Sequence, residues 1–407
     1  MAFTIEHECP QCGAPVELEE ASRVLLCPYC DVRNFLFTED YFRFVLPCNV
    51  TGKDILYAPY LRFRGTVYVC GKTSIGHRVV DITRRGAPFE ELPVTLGLKP
   101  QAVKMKFVTP DLGGSFIRNT LRAEDVLESV GKRASSPGSG TVFHQASIGE
   151  VLSLIYLPLF IQDNRLFDAV TGRPVAELPG GRDTFGSAAD EKPRWGLTVI
   201  ATICPNCGWN LDGEKDSVVL TCSNCDTVWS ARNGRFVEVP FGMVRGNKDS
   251  VYLPFWMIAA RSSGVKIDTY ADFIRVTDQP RVVQKRWEDQ DMFFWVPAFK
   301  IRPQVFLTLC RQLTITQRNV DLEESIPDRN LFPVTLPHAE ALQSLTLILA
   351  DSAMRKKQLF PLLSEIAFRA GESTLIYLPF RNTGHEVVQE DLCIGIQKKT
   401  LEFGRFL

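Results

Sequence analysis

Eight cysteines fall into two blocks that share one internal spacing. The first block, CPQCGAPVELEEASRVLLCPYC, covers residues 9–30, and the second, CPNCGWNLDGEKDSVVLTCSNC, covers residues 204–225. The spacing in both is C-x2-C-x14-C-x2-C, and ten of the 22 aligned positions are identical. A C-x-x-C pair places two thiolates on one tight turn. Two such turns that face each other form a tetrahedral four-sulfur cage, a geometry that suits Zn²⁺.

The spacing therefore predicts two zinc sites with four thiolate ligands each. The ligands are Cys9, Cys12, Cys27 and Cys30 in the first site and Cys204, Cys207, Cys222 and Cys225 in the second. Catalytic zinc keeps a coordination position open for water or substrate, whereas four sulfur ligands leave none. We therefore expect both metals to be structural, stabilising ribbons that are too small to fold by apolar burial alone.

The residue after each pair of cysteines also fits a metal-binding turn. Gly13 and Gly208 follow the first pair of each block, and glycine takes a positive φ most easily. Asp31 and Asp226 follow the second pair, and aspartate tolerates that region better than most residues do. Four tight turns are predicted at these positions.

The cysteine blocks resemble zinc ribbons of the rubredoxin-like type, the kind seen in transcription factors, ribosomal proteins and primosomal helicases. The resemblance covers the blocks and their flanks and implies a fold rather than a function. The Tyr-x-Pro segments behind the ribbons resemble those of poorly characterised bacterial zinc-ribbon proteins. A rubredoxin-like iron site that carries electrons is a less favoured alternative, because the spacer is shorter than in rubredoxins. Colour distinguishes an iron site from a zinc site, since the oxidised iron form is red and the zinc form is colourless.

Similarity between the two halves continues beyond the cysteines. KDILYAPYLRF from Lys53 and KDSVYLPFWMI from Lys248 keep the offset of 195 residues. Further pairs follow at a changed offset: MKFVTP (105–110) with MFFWVP (292–297), and GEVLSLIYLPLF (149–160) with GESTLIYLPF (371–380). The order of these segments predicts an internal duplication. The expected fold is α+β and rich in strands, with two tandem repeats, each a small zinc ribbon followed by a mainly antiparallel α+β domain.

The predicted division of the chain follows from this duplication and from composition. A stretch rich in glycine, proline and charge separates the halves, as is typical of a linker. We expect the two halves to fold independently, and residues 131–141 to form a loop. The predicted units are zinc ribbon 1 (1–40), α+β domain 1 (41–178), a linker (179–195), zinc ribbon 2 (196–236) and α+β domain 2 (237–407).

Local patterns predict several elements within these units. Two strands are expected around a tight turn at Arg64-Gly65, and two more around residues 382–384. Tyr-x-Pro occurs four times, and because proline cannot donate to a ladder, each copy is expected at a strand edge or bulge. Helices are predicted at 122–132, 302–314 and 337–358.

Charge bears on the class of partner. The chain carries 46 Lys and Arg against 47 Asp and Glu, and both cysteine blocks are acidic. Because phosphate neutralisation supplies most non-specific affinity for nucleic acid, acidic ribbons disfavour that partner. A nucleic-acid-binding accessory protein of replication or transcription stays the alternative to a protein-binding one. The N-terminal residues lack a signal-peptide pattern, and no apolar run approaches the ~20 residues of a membrane span, so a cytoplasmic location is expected.

Catalytic patterns are missing from the sequence. The five histidines show neither ligand nor triad spacing, and CGKTS (70–74) misses the phosphate-loop register by one residue. Buried thiols are the expectation for the remaining cysteines, Cys48, Cys70, Cys310 and Cys393. We therefore expect a non-catalytic zinc-binding adaptor or scaffold subunit that binds protein, with the identity of the partner left open.

Overall fold

The computed structural model describes residues 3–134, 141–189, 195–317, 320–327 and 330–405. Strands predominate and helices are fewer, in agreement with the predicted α+β class. The two large sheets are mixed, since a few parallel pairs occur among mainly antiparallel ones, and the two three-stranded sheets are antiparallel. Within these ranges, no helix is both long and apolar enough to cross a membrane.

The strands follow the chain in this order. Those of the first half are β1 (Thr4–Glu8), β2 (Pro15–Glu19), β3 (Val24–Leu26), β4 (Arg33–Phe37), β5 (Phe42–Val45), β6 (Ile55–Cys70), β7 (Ile75–Arg85), β8 (Met105–Phe107), β9 (Ser115–Phe116), β10 (His144–Gln162), β11 (Arg165–Asp168) and β12 (Pro174–Glu177). Those of the second half are β13 (Thr198–Ala201), β14 (Val219–Cys222), β15 (Thr227–Arg232), β16 (Arg235–Glu238), β17 (Phe241–Val244), β18 (Ser250–Ser263), β19 (Phe293–Pro297), β20 (Leu322–Glu323), β21 (Ala367–Asn382), β22 (Glu386–Gln389) and β23 (Ile394–Gln397).

The helices are short. They are α1 (Lys99–Ala102), α2 (Ala123–Ala134), α3 (Tyr270–Val276), α4 (Pro303–Thr316), α5 (His338–Gln343), α6 (Leu345–Ser352), α7 (Lys356–Leu359) and α8 (Lys398–Gly404). Turns of 3₁₀ helix cover Gly181–Ala189, Lys285–Trp287, Phe360–Leu362 and Glu390–Leu392. Helices α2 and α4 confirm two predictions, and Pro303 lies in the first turn of α4, where its missing N–H costs no hydrogen bond.

The single helix predicted over residues 337–358 is instead three, α5, α6 and α7. The chain leaves α6 at Ala353, which is extended. Backbone groups freed there bond to the segment after α3: the Gln279 side chain donates to the Ser352 carbonyl at 2.6 Å, and the Met354 amide donates to the Thr277 carbonyl at 2.9 Å. Tertiary hydrogen bonds therefore replace the helical ones.

Two long antiparallel strands, β6 and β10, form the centre of the first half. The predicted turn at Arg64-Gly65 is wrong, because β6 runs without a break from Ile55 to Cys70. Gly65 lies opposite a bulge in β10 between Ile148 and Val151. A Cβ atom at Gly65 would come within 2.9 Å of the Glu150 Cα, so glycine permits the close approach of the bulged strand rather than a turn.

The Tyr-x-Pro segments of β6 and β10 lie directly opposite each other. Tyr57 pairs with Pro158, and Pro59 pairs with Tyr156. Both prolines lie in mid-strand and away from the bulge, at positions where no described strand pairs with the outer side. Strand β9 pairs with β6 up to Tyr57 and β7 only from Tyr60, and β5 pairs with β10 up to Tyr156 and β11 only from Leu159. The prediction of a strand edge is therefore confirmed locally, and no bulge lies at either proline. Their carbonyls face away from the central pair and accept from the Gly86 and Ala169 amides, at 2.8 and 2.9 Å. Each proline nitrogen faces the same way, so the β6–β10 ladder loses no hydrogen bond.

Strands β18 and β21 of the second half repeat this arrangement. Tyr252 pairs with Pro379, and Pro254 pairs with Tyr377. The Pro254 carbonyl again accepts from a backbone amide outside the pair, at 2.9 Å. A parallel strand flanks the second long strand in both halves, β5 beside β10 and β17 beside β21. The hairpin predicted around residues 382–384 is present between β21 and β22.

The two large sheets differ in the rest of their strands. The first has the order β12-β11-β10-β5-β8-β1-β2, with β6 beside β10 and with β7 and β9 beside β6. The second has the order β19-β18-β21-β17-β20, extended by β22 and β23. Residues 105–107 form β8 between β5 and β1, whereas 293–297 form β19 at the edge of β18. The resemblance between MKFVTP and MFFWVP therefore has no counterpart in topology.

The two halves pack against each other. The main apolar core of the second half also contains Tyr68, Cys70, Ala146 and Ile148 of the first. The segment assigned as a linker begins with the 3₁₀ turns of 181–189, whose Phe185 is buried and packs on Phe89 at 5.1 Å between ring centroids. Residues 190–194 of that linker, and residues 135–140 of the predicted loop, lie outside the described residues. The unit boundaries themselves stay predictions.

Candidate metal centres

Two hairpins build the first cysteine cluster. Cys9 and Cys12 lie in the turn between β1 and β2, and Cys27 and Cys30 lie in the turn between β3 and β4. The four Sγ atoms all lie within 4.8 Å of one another. Because β1 also pairs with β8, the first pair of cysteines is held by the large sheet of the first half.

The second cluster has the same composition and a similar frame. Cys204 and Cys207 follow β13, and Cys222 and Cys225 occupy the turn between β14 and β15. Their Sγ atoms also lie within 4.8 Å of one another. The order of burial matches that of the first cluster: the first and third cysteines are buried, the second is exposed and the fourth is half-buried.

The turns have the backbone conformation that the sequence predicts. Gly13 and Gly208 have φ values of 72° and 75°, and Asp31 and Asp226 have values of 55° and 50°. In three of the turns, the amide of the left-handed residue donates to the carbonyl of the first cysteine of the pair. In the first, the Gly13 amide donates to the Cys9 carbonyl at 2.8 Å. The left-handed residue lets the chain reverse within the span of one C-x-x-C pair.

Sulfur–sulfur distances test whether a metal fits. Pairs of Sγ atoms lie 3.6 and 3.7 Å apart in the first cluster and 3.5 and 3.6 Å apart in the second. A disulfide is ~2 Å long, so these cysteines are free thiols. Metal–sulfur bonds of ~2.3 Å in a tetrahedron place the sulfurs ~3.8 Å apart. Both clusters therefore have the size of a four-thiolate metal site, and all eight predicted residues lie in them.

Hydrogen-bond donors around some of the sulfurs favour the thiolate form that binds metal, although burial and neighbouring sulfurs raise the pKa of Cys30 and Cys222 to about 12. The backbone amides of Cys12 and Gln11 help to lower the pKa of the Cys9 thiol to about 7. In the second cluster, the Asn224 side chain and then the Trp209 amide lower the pKa of Cys207 to about 6. The chain thus supplies donors to the sulfurs at both clusters.

Contacts between the two ribbons are a feature that sequence reasoning missed. Strand β13, which leads into the second cluster, pairs with β4 of the first ribbon. The Lys215 carbonyl accepts from the amides of Arg23 and Val24, at 2.6 and 2.9 Å. Arg33 and Asp212 form an ion pair at 2.9 Å. No periodicity marks these residues, since their partners lie in the other half of the chain.

A small apolar cluster lies at this contact and includes two cysteines of the second cluster. It joins Val24 and Phe35 of the first ribbon to Cys204, Cys222 and several neighbours of the second. The second cysteine cluster therefore lies against the first ribbon. Because the ribbons share these contacts, we now expect the folding of one to depend on the other.

The other cysteines and the CGKTS segment lie apart from these clusters. Cys70 and Cys310 are buried as predicted, but Cys48 and Cys393 are exposed, which corrects that prediction. Residues 71–74 form the turn between β6 and β7, closed by the Gly71 amide donating to the Ser74 carbonyl at 3.0 Å. The segment is a hairpin turn rather than a phosphate loop.

Comparison with known proteins identified no relative of this chain. No family model, curated protein or solved structure matches the chain.

Proposed function

We propose that Zn²⁺ occupies both four-cysteine sites and has a structural role. The support is the closed donor set, the sulfur–sulfur spacing and the preference of thiolates for Zn²⁺. Metal analysis of the purified chain tests the assignment, with about two zinc equivalents expected in a colourless protein. A red protein that contains iron would instead favour the electron-carrier alternative.

We also propose that the chain arose by internal duplication. The crossed pairing of Tyr-x-Pro segments in both halves supports this, as do the matched turns inside the ribbons. In those turns, Ser22 Oγ accepts from the Glu19 amide at 3.0 Å, and Ser217 Oγ accepts from the Glu214 amide at 2.8 Å. Two similar units could bind two copies of a partner, or one symmetric partner, with increased avidity.

We infer that the protein is a non-catalytic adaptor that binds a protein partner through its ribbons. The observation that carries this inference is a pair of exposed apolar residues at each metal site. Leu26 and Tyr29 flank Cys27 and are 52% and 69% exposed, and Ile203 and Trp209 flank the first cysteine pair of the second ribbon at 51% and 59%. Tyrosine and tryptophan are enriched among residues that dominate binding energy at protein interfaces.

Two further features support the adaptor over the alternatives. Carboxylates are numerous on both ribbons. In the first ribbon, Glu6 and Glu17 share one cation, Lys104, with which they form ion pairs of 3.4 and 2.6 Å. This charge suits a protein partner better than the phosphates of a nucleic acid. The twelve free cysteines suit a reducing compartment such as the cytoplasm, where we propose that the protein acts.

The test is recovery of partners from the native host with tagged full-length chain, with and without nuclease. We expect a defined protein partner that survives nuclease and is lost from the Tyr29→Ser and Trp209→Ser variants. Val282→Ser is the matched control, because Val282 is 89% exposed but lies outside the ribbons. Metal content is measured for each variant, so that loss of the partner is separated from loss of the fold.

Three outcomes would contradict the proposal. One is a partner retained by both ribbon variants. Another is a partner that disappears with nuclease, which would favour the nucleic-acid alternative. The third is enzymatic turnover by the purified protein that a point substitution outside the cysteines abolishes.

A further inference from the structure

A cleft of about 670 Å³ lies where the two ribbons meet the second large sheet. Its walls come from β4 and the residues after it, from β14 and β15, and from α5. Most of the surface is apolar and includes the side chains of Phe35, Val218, Trp256 and Leu342. This volume is in the range of pockets that bind small molecules, ~300–1,000 Å³.

One wall of the cleft carries an arginine that forms no ion pair with a carboxylate of the described residues, although Glu340 lies near enough to act on it electrostatically. Arg23 lines the cleft, and its guanidinium carbon lies 4.2 Å from the centroid of the Phe42 ring. Among the described residues, no carboxylate forms an ion pair with it. Burial lowers the pKa of Arg23 to about 10, although the negative charge of Glu340 opposes this, so the group still carries its charge at neutral pH. A partly buried cation with five donors and no acceptor favours an anion brought by a ligand.

Two other lining residues carry polar atoms that have no hydrogen-bond partner within the described part of the chain. They are His338, through Nε2, and Ser373, through Oγ, and both atoms are buried. Burial, and then the positive charge of Arg232, lower the pKa of His338, so its ring is neutral and Nε2 can donate or accept. Buried polar atoms are rarely left unsatisfied in folded proteins. Arg232 lines the cleft as well, so four groups that could contact an anion belong to one cleft.

The acidic residues of the cleft limit the charge of that anion. Asp40 is already bound by Arg43, through hydrogen bonds of 3.0 and 2.8 Å. Glu39 and Glu238 are exposed at the cleft. These carboxylates would repel a phosphate dianion more strongly than a single carboxylate. The apolar walls would meanwhile favour a ligand with an apolar body.

We propose that this cleft binds a carboxylate attached to an apolar body, with Arg23 as its counter-ion. Such a group occurs in free organic acids and at the C-terminus of a chain that ends in apolar residues. The proposal is independent of the adaptor function, because Tyr29 and Trp209 do not line the cleft.

Binding of defined probes to the full-length chain tests the proposal by calorimetry. The free-acid arm compares phenylbutyrate with phenylbutyramide, and the chain-end arm compares acetyl-Leu-Leu-Phe with its C-terminal amide. We expect the acid of at least one arm to bind about tenfold or more tightly than its amide. The arm with the tighter acid assigns the source of the carboxylate.

Two variants locate the binding. Arg23→Gln removes the charge, and Ala339→Trp fills the cleft from α5 without changing charge. We expect each variant to bind the acid about tenfold or more weakly than the wild type does. The control is Arg235→Gln, because Arg235 is exposed and lies outside the cleft, and we expect its affinity for the acid to be unchanged. Unfolding curves establish that each variant is folded. The proposal is overturned if neither acid binds, if amides bind equally well, if inorganic phosphate binds more tightly, or if both variants retain full affinity.

Discussion

The Glu340 Oε2 atom lies 2.6 Å from the backbone nitrogen of Gly149, and 3.1 Å from that of Glu150. The bulge in β10 interrupts the ladder with β6 at these residues. Glu340 belongs to α5, in the other half of the chain, so a carboxylate of the second half accepts both backbone amides of the bulge. The two halves are therefore joined by specific hydrogen bonds as well as by apolar packing.

Removing this carboxylate should destabilise the protein. Glu340→Ala leaves two partly buried amides without an acceptor, and we expect the free energy of unfolding to fall by about 1–3 kcal/mol. Urea unfolding followed by circular dichroism measures the change. The control is Glu372→Ala, an exposed glutamate, for which the expected change is within about 0.5 kcal/mol. Equal effects of both substitutions would mean that the contact between the halves contributes nothing.

Glu150 should make stability depend on pH. Burial, and then the neighbouring Glu340, raise its pKa from 4.5 to about 7, although Lys300 opposes this. Below the unfolded pKa both states hold the proton. As the pH rises through the folded pKa, this contribution to stability is lost, because the folded state keeps a proton that the unfolded state releases.

The Glu150→Gln variant isolates this effect. Its free energy of unfolding should equal that of the wild type below about pH 4.5 and exceed it by about 1–2 kcal/mol above about pH 7. The readout is the difference between the two proteins, because burial lowers the pKa of His144 to about 4, and so gives a dependence of opposite sign in the same window. Parallel stability curves for the two proteins would refute the prediction.

Arg62 is a buried cation that the chain does pair. Its side chain is 1% exposed, contacts the carboxylate of buried Glu20, and donates to Asp81 at 3.1 and 2.9 Å. Arg62→Met should lower the free energy of unfolding by about 3–5 kcal/mol, because Glu20 then stays buried without its partner. Adding Glu20→Gln should recover part of the loss in a double-mutant cycle. Additive effects of the two substitutions would show that the pair is not coupled.

Loss of one metal site should affect both ribbons. Cys204→Ser should remove one of the two metal ions, and the packing of Cys204 with Val24 and Phe35 should transmit the disturbance to β3 and β4. Hydrogen exchange measures this as faster exchange in both ribbons. The exposed Cys48 provides the control variant Cys48→Ser, which should retain both metals. Unchanged protection of β3 and β4 would restore the expectation of independent ribbons.

Local chemistry explains why the sequence predicts the metal clusters well. The spacing of a C-x-x-C pair and the following glycine or aspartate set a turn within a few residues, so no distant contact is needed. The helix at 303–316 is also local, since it has proline in its first turn and an apolar face. The predictions that failed depend on partners. Gly65 looks like a turn residue until the bulge of β10 lies opposite it.

The cysteine spacing alone thus determines which eight residues gather and the kind of metal that they suit, because the ligand turns are short and rigid. The paired Tyr-x-Pro segments, the joining of the ribbons and the cleft around Arg23 depend on tertiary structure. Each brings together residues far apart in the chain, such as Arg23 and His338. Their contacts come from sheet register and from packing between the halves, which no short stretch of sequence encodes.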